Sequence, residues 1–374
     1  MNFPSLLRSI LFAMSYGDLL DEVLIHLTLV IDYISYAYNT LISFILFKFL
    51  NQPPLHVHIP TQTYHPAVLV TGTSVGIGRN VALNLAKRGY TVFATVRKEE
   101  DAEDLKNTFQ EIDNVMNGSL EILIMGVTNN DDIKKSYDII RNKIGREIPF
   151  VGLINNAGLV LYIPLEIATE KSFEDSFNTN YFSIINLTKK FLPLLRESRG
   201  RVINIGSMAS WSPAPSMGIY SSTKAAVRSI TQVWRMETRS MGVHFSLIEP
   251  GIVATRLTQN QLNTYRTFTS FPTDSEYHDI PQSKGITSNV IDAYENLFKM
   301  IAKRSSLVAS KAIPPAIVTD AIVHALTAPY PKNTYYVGLD ARIIAMVSWL
   351  FGDRIIEAVQ AKALYVPNDM IAVI

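Results

Sequence analysis

From about residue 66 onward, short apolar runs alternate with longer stretches whose apolar residues recur at helical spacing. Val68-Leu69-Val70 is β-branched and apolar, carries no charge, and turns through glycines directly into a helix. Past Gly78 the apolar positions are Val81, Ala82, Leu85 and Ala86, one face of that helix. Gly89 closes it, and Thr91 to Val96 reads as the next strand. Strand, glycine turn, helix and strand imply a parallel pair joined by a crossover.

The alternation continues. Strands are expected at Leu120 to Met125, Phe150 to Ile154, Arg201 to Ile205, His244 to Ile248 and Thr334 to Gly338. Helical patterns lie between them at Asp131 to Lys143, Phe173 to Glu197, Ser221 to Arg239 and Val318 to Leu326. The fold class is α/β, a doubly wound parallel sheet of Rossmann type, whose ligand crevice lies at the carboxyl ends of its strands. The glycine-rich and polar residues fall at those ends: Gly72 to Gly78, Asn155 to Gly158, Ser207, and Pro250 to Thr255. A sheet that merely packs has no need of that convergence.

Three regions depart from the pattern. Residues 1–60 form a hydrophobic leader and linker: Val23 to Leu50 is strongly apolar, with His26, Asp32 and Lys48 its ionisable groups. Asp32 shortens the uncharged run below the ~20 residues a span requires. A helix embedded in or lying on a membrane is the favoured reading, with Tyr33, Tyr36 and Tyr38 as an interfacial belt; the alternative is an extra helix packed on the domain. Gln52 to Pro66 reads as a solvated, proline-marked linker, and no metal site is expected from His56 and His58. Within the dinucleotide-type domain, 61–340, residues 255–315 break the alternation after the sixth strand and suit a substrate lobe over the crevice mouth. Residues 341–374 form C-terminal amphipathic helices, for which core packing is the first use and membrane contact the second.

Composition narrows the classes. A formal net charge of +1 gives no reason to expect nucleic acid, and 48% hydrophobic residues point to a membrane-facing part or a greasy pocket. The absence of cysteine excludes disulfides, thiol nucleophiles and cysteine-ligated zinc.

The chemistry rests on two constellations. The spacing Gly72-x-x-x-Gly76-x-Gly78 leaves backbone free of side chains at the start of a helix, where N–H groups and the helix dipole favour a pyrophosphate. Tyr220-Ser221-Ser222-Thr223-Lys224 opens another helix, so Tyr220 and Lys224 project from one face a turn apart. A phenol titrates near ~10 when free, and a nearby ammonium favours the phenolate, bringing it toward working range. Ser207, ending the preceding strand, could hold a carbonyl or alcohol oxygen beside Tyr220.

Over roughly residues 66 to 340 the sequence resembles the short-chain dehydrogenase/reductase family. The matching residues are Thr71-Gly72-x-x-x-Gly76-x-Gly78, Asn155-Asn156-Ala157-Gly158, Asn180, Ser207, Tyr220-x-x-x-Lys224 and Pro250-Gly251. The resemblance implies that Tyr220 is the proton donor or acceptor, that Ser207 orients the substrate oxygen and that Lys224 binds the nicotinamide ribose and tunes Tyr220. It implies that Asn180 holds the water of a proton relay. For the cofactor it implies contacts from Gly72, Ser74, Gly76, Ile77, Gly78, Arg97, Val127, Asn156, Ala157, Gly158, Tyr220, Lys224, Pro250, Gly251, Val253 and Thr255. Where the family often has Asp after the third strand, this chain has Gly126-Val127-Thr128. A homodimer through Phe173–Glu197 and Ser221–Arg239 is expected by analogy.

An acid at the end of the second strand would hold a ribose 2′-hydroxyl, whereas Val96 here is followed by Arg97-Lys98, which suits a 2′-phosphate. NADP(H) is therefore expected in preference to NAD(H). The leader, the lobe and the ending Tyr336-Val337-Gly338-x-Asp340-Ala341 look like the retinol and hydroxysteroid dehydrogenase branch. That points to an oxidoreductase interconverting an apolar alcohol (steroid, retinoid or lipid-like) with its ketone or aldehyde, at an endoplasmic reticulum or lipid-droplet membrane. The rivals are an enzyme on a small polar hydroxy acid, with Arg256, Arg266 or Lys284 as the carboxylate clamp, and a non-catalytic nucleotide-binding sensor.

Overall fold

A computed structural model describes residues 54–111, 118–255 and 312–352, with short pieces at 30–31, 33–42, 44–45, 294, 297 and 357–358. The expected core of the substrate lobe, its candidate clamps Arg256, Arg266 and Lys284, and most of the C-terminal segment lie outside the described residues.

Seven parallel strands form one sheet in the order β3-β2-β1-β4-β5-β6-β7. They are β1 (Ala67–Val70), β2 (Thr91–Val96), β3 (Ser119–Ile124), β4 (Phe150–Asn155), β5 (Arg201–Ile205), β6 (His244–Pro250) and β7 (Thr334–Val337). Every residue of β1, β2, β4 and β5 is buried. Helices cover both faces, so these strands read as continuous apolar runs with no alternation. The flanking helices are α1 (Gly76–Lys87), α2 (Glu99–Glu111), α3 (Asn130–Ile144), α4 (Glu170–Phe177), α5 (Ser183–Ser198), α6 (Gly218–Glu237), α7 (Pro315–Thr327) and α8 (Leu339–Phe351). One face of the sheet packs Leu69, Phe93, Phe150, Leu153 and Val202 against Leu187, Phe191 and Leu194 of α5 and Ile133 and Ile140 of α3. The strand order reverses between β1 and β4, and the segments after these two strands therefore flank the crevice.

Two sequence expectations change. The single helix expected over 173–197 is α4 and α5 joined by a π-helical turn, Asn178–Phe182, which carries Asn180. Such a turn inserts one residue into the hydrogen-bond ladder, which a periodicity argument cannot detect. The stretch 54–66 is also not a solvated tether. Arg201, buried at the base of β5, donates to the carbonyls of Ala325 (2.7 Å) and His56 (3.1 Å), and Tyr90 donates to the carbonyl of His58 (2.9 Å). His58 itself bonds the Tyr64 hydroxyl and the Ser198 carbonyl. A compact unit accordingly runs from Pro54, separate from residues 1–53. In that first unit the described residues of 30–45 are helical, with Tyr33, Ile34, Tyr38, Leu41 and Phe44 exposed. No helix among the described residues is long and apolar enough to cross a membrane.

Candidate active site

The glycine turn after β1 is built for close approach. Gly72 and Gly76 adopt positive φ (68° and 64°), open to glycine without strain. A Cβ on Gly78 would lie 2.2 Å from the Gly72 carbonyl oxygen and 2.4 Å from Asn156 Nδ2, so that position admits glycine alone. Helix α1 begins at this turn with no side-chain cap and no acid in its first turn. By contrast, Asn129 caps α3, and acids occupy the first turns of α2 and α3. The uncapped N–H groups at the start of α1 and the bare backbone at Gly76 and Gly78, flanked by Ser74 and Ile77, fit a pyrophosphate. A cleft of about 410 Å³ opens beside the turn, lined by Gly76, Arg79, Ala254, Thr255 and Pro315.

The loop after β4 holds that turn in place. Asn156 Nδ2 donates to the carbonyls of Thr71 (2.8 Å) and Gly72 (2.9 Å), and the Thr71 hydroxyl accepts from the N–H groups of Asn156 and Ala157 (both 3.0 Å). The Asn156 amide is thus spent on bracing the turn. The loop after β6 closes the other side: a Cβ on Gly76 would lie 3.0 Å from Thr255 Cγ2. Asp340, at the start of α8, accepts from the N–H of Ile252 (2.8 Å) and fixes that loop. Arg97 is exposed at the end of β2 and makes no ion pair with a described residue. After β3, Val127 is buried, and the acid missing from that loop arrives from α3: Asp132 accepts from the N–H of Gly126 (2.9 Å).

Four expected residues converge at the carboxyl ends of β4 to β6. Ser207 follows β5 as the cap of a short 3-10 turn, Met208–Ser210, and its hydroxyl faces the Tyr220 phenol. Tyr220 and Lys224 lie on α6, with Lys224 Nζ 5.6 Å from the centre of the Tyr220 ring. Lys224 is buried and donates to the Ile205 carbonyl (2.7 Å). Asn180, fully buried, accepts from Leu159 N (2.7 Å) and donates to Leu159 O (2.8 Å) and to the Thr223 hydroxyl (3.0 Å). Thr223 in turn donates to the Tyr220 carbonyl (2.7 Å). Gly158 closes the group, since a Cβ there would sit 3.4 Å from Asn180 Oδ1 and 3.8 Å from Lys224 Nζ.

Burial dominates the electrostatics of this group. It pushes Tyr220 up to about 12, with the facing Ser207 hydroxyl pulling the other way, and Lys224 down from 10.5 to about 8. Below pH 8 the folded protein carries a buried ammonium that donates to a carbonyl, that of Ile205. Replacing Lys224 with Met should therefore raise the melting temperature at neutral pH. The sign follows from linkage: the folded-state value lies below the unfolded one, so the cost to wild type is complete below about 8. It fades as the pH climbs toward 10.5, where the unfolded lysine also loses its proton. Thermal unfolding of both proteins at pH 7 and pH 10 checks this, and an equal gap at both would contradict it.

Sequence reasoning missed the residues just behind this group. Glu249, fully buried at the end of β6, pairs with Arg228 of α6 and accepts from Trp211 Nε1 (3.0 Å). A lone carboxylate in an apolar strand, and Arg228 one turn beyond Lys224 on the same helix, were the available signals.

Comparison with known proteins agrees with this geometry. Residues 66–266 match the family described as short chain dehydrogenase. The chain is 31% identical over 277 residues to 17-beta-hydroxysteroid dehydrogenase type 6 of Rattus norvegicus, covering 74% of this chain and 81% of that one. It is 29% identical over 277 residues to the mitochondrial D-beta-hydroxybutyrate dehydrogenase of Mus musculus, covering 72% and 76%. A short chain dehydrogenase from Burkholderia cenocepacia, solved in complex with NADP, shares the fold with a TM-score of 0.56 at 21% identity, covering 82% of this chain and all (100%) of that one.

Proposed function

The chain belongs to the short-chain dehydrogenase family, and from that premise we propose that it interconverts an apolar alcohol with its ketone or aldehyde using NADP(H). It is an NAD(P)-dependent oxidoreductase acting on CH–OH groups. The observation that carries the reading is the Ser207–Tyr220–Lys224 grouping at the mouth of a side-chain-free glycine turn.

The bound dinucleotide would supply or accept hydride at its nicotinamide ring. The chain's own residues do the rest. Gly72, Ser74, Gly76, Ile77 and Gly78 bind the pyrophosphate, and Pro250, Gly251, Val253 and Thr255 line the nicotinamide side. Val127, Ala157 and Gly158 complete the cradle, while Asn156 acts by bracing the turn. Ser207 donates to the substrate oxygen, and Tyr220 gives a proton to it in reduction or takes one in oxidation. Lys224 holds the ribose and, when charged, favours the phenolate of Tyr220. Because the Asn180 side chain is committed to Leu159 and Thr223, a relay water beside it would be held by main chain in the π-helical turn.

For the cofactor, Arg97 supplies the discrimination. A charge-assisted contact to a 2′-phosphate contributes ~1.5–3 kcal/mol, roughly a 10- to 100-fold preference. Arg97→Ala should reduce the NADPH/NADH affinity ratio by that factor; fluorescence titration with both cofactors measures it, and an unchanged ratio removes Arg97 from the site.

Support for an apolar substrate comes from the steroid-dehydrogenase relative and from the exposed apolar positions Tyr33, Ile34, Tyr38, Leu41 and Phe44, which would hold the protein at an endoplasmic reticulum or lipid-droplet membrane. Phe173, Phe182, Val233 and Met236, exposed along α4 to α6, offer an apolar face for a homodimer. The hydroxybutyrate-dehydrogenase relative favours a second reading, a small polar hydroxy acid. Following NADPH consumption with steroid, retinoid and fatty carbonyl compounds against acetoacetate separates the two. Reduction of acetoacetate alone would overturn the apolar assignment.

A further inference from the structure

The Arg228–Glu249 pair lies outside the four-residue group, yet it connects the Ser207 turn to the helix that carries Tyr220 and Lys224. Glu249 ends β6, beside Pro250, and its side chain is fully buried. It accepts from Trp211 Nε1 at 3.0 Å, and Trp211 follows the 3-10 turn that begins just after Ser207. Within that turn the Ser210 hydroxyl donates to the Ser207 carbonyl (2.6 Å), and it also faces the Glu249 carboxylate. At its start, Gly206 N–H donates to the Ile248 carbonyl (2.7 Å), the residue before Glu249. Arg228 sits on α6 one turn beyond Lys224 and two beyond Tyr220, and its second nitrogen donates to the Tyr336 hydroxyl of β7 (3.3 Å). Tyr336 closes the ring by packing edge-on to Trp211, with centroids 5.7 Å apart.

We propose that Glu249 and Arg228 are positioning residues: the pair ties the Ser207 turn, through Trp211, to the helix that carries Tyr220, and so sets the Ser207 hydroxyl against the Tyr220 phenol. A buried ion pair is a poor source of stability, because desolvation offsets the Coulombic gain, and apolar replacement of both partners is often neutral. Its use here is geometric. A strand end, a turn and a helix meet at one carboxylate oxygen, Glu249 Oε2, which accepts from Arg228 and Trp211 together. Burial pushes the Glu249 carboxyl upward, while Arg228, Ser210 and Trp211 oppose that shift. The inference rests on the reading of Ser207 and Tyr220 as the reacting pair.

The test uses the full chain carrying tyrosine labelled with 13C at Cζ, a carbon sensitive to hydrogen bonding of the phenol. The Tyr220 signal is the one absent from Tyr220→Phe, and Ser207→Ala marks where it falls when the Ser207 hydroxyl is gone. Two variants remove the brace without leaving a buried charge unpaired. Trp211→Phe removes the indole N–H and keeps a smaller aromatic ring against Tyr336; Arg228→Met/Glu249→Leu replaces the pair by apolar side chains. In both, the Tyr220 signal should move from its wild-type position toward that of Ser207→Ala, with NADPH binding unchanged. Signals that remain at the wild-type position in both variants would overturn the proposal, leaving the pair a packing feature. Coincidence of Ser207→Ala with wild type would overturn it too, because the Tyr220 phenol would then not sense Ser207 at all. A shifted signal in a protein that reduces no carbonyl compound supports the brace and counts against the proposed function alone.

Discussion

Tyr220→Phe should lower turnover by about 10³-fold while NADPH binding stays within about twofold of wild type. The substitution keeps the ring, its place on α6 and its position below Lys224, and removes one oxygen. Nothing in the fold depends on that oxygen: it faces Ser207, a residue that already accepts from Ala209 N–H and is held by Ser210. The phenol is pushed up to about 12 by burial, so without help it is a reluctant acid–base near neutrality. The help is the Lys224 ammonium and the Ser207 hydroxyl, which both favour the ionised form. Turnover and NADPH titration on the same preparation measure the two effects separately. Retention of more than about a tenth of the activity would leave Tyr220 outside the proton path.

Gly78→Ala should abolish NADPH binding and cost about 1–3 kcal/mol of stability, the usual range for overpacking. The added methyl would stand 2.2 Å from the Gly72 carbonyl oxygen and 2.4 Å from Asn156 Nδ2. Neither neighbour can yield cheaply. The Gly72 carbonyl accepts from Asn156, and Asn156 also bonds Thr71, so displacing one moves the whole turn. A chemical-denaturation midpoint and an NADPH titration check both parts. If the variant bound NADPH as wild type does, the glycine turn would not be the dinucleotide cradle.

Much of this was legible in the chain. The seven strands fall where apolar runs of strand length occur, because a sheet covered on both faces demands unbroken burial, and that demand is local in sequence. Gly72, Gly76 and Gly78, Ser207, and Tyr220 with Lys224 were legible for the same reason: a positive φ, a bare backbone or a one-turn spacing shows in a few adjacent residues. What escaped was set by contacts across long separations. Arg201 draws the 54–66 stretch onto the base of the sheet through His56, 145 residues away, and no local pattern encodes that bond. The bracing of the glycine turn by Asn156 Nδ2, through the carbonyls of Thr71 and Gly72, joins residues 85 and 84 apart and shows in no local pattern. The π-helical turn at Asn178–Phe182 hides inside a pattern that reads as one helix. Arg228 and Glu249 each look ordinary alone and form a unit only when α6 and β6 are adjacent.

The most direct test of hydride transfer is an isotope label. The full chain would be incubated with NADPH deuterated at C4 of the nicotinamide and, separately, with a 17-ketosteroid, retinal and a long-chain fatty aldehyde. Mass spectrometry should find one deuterium on the carbinol carbon of the alcohol formed from at least one of them, and none with Tyr220→Phe. NADPH bound by the protein, with no deuterium delivered to any of the three, would contradict an oxidoreductase of apolar alcohols.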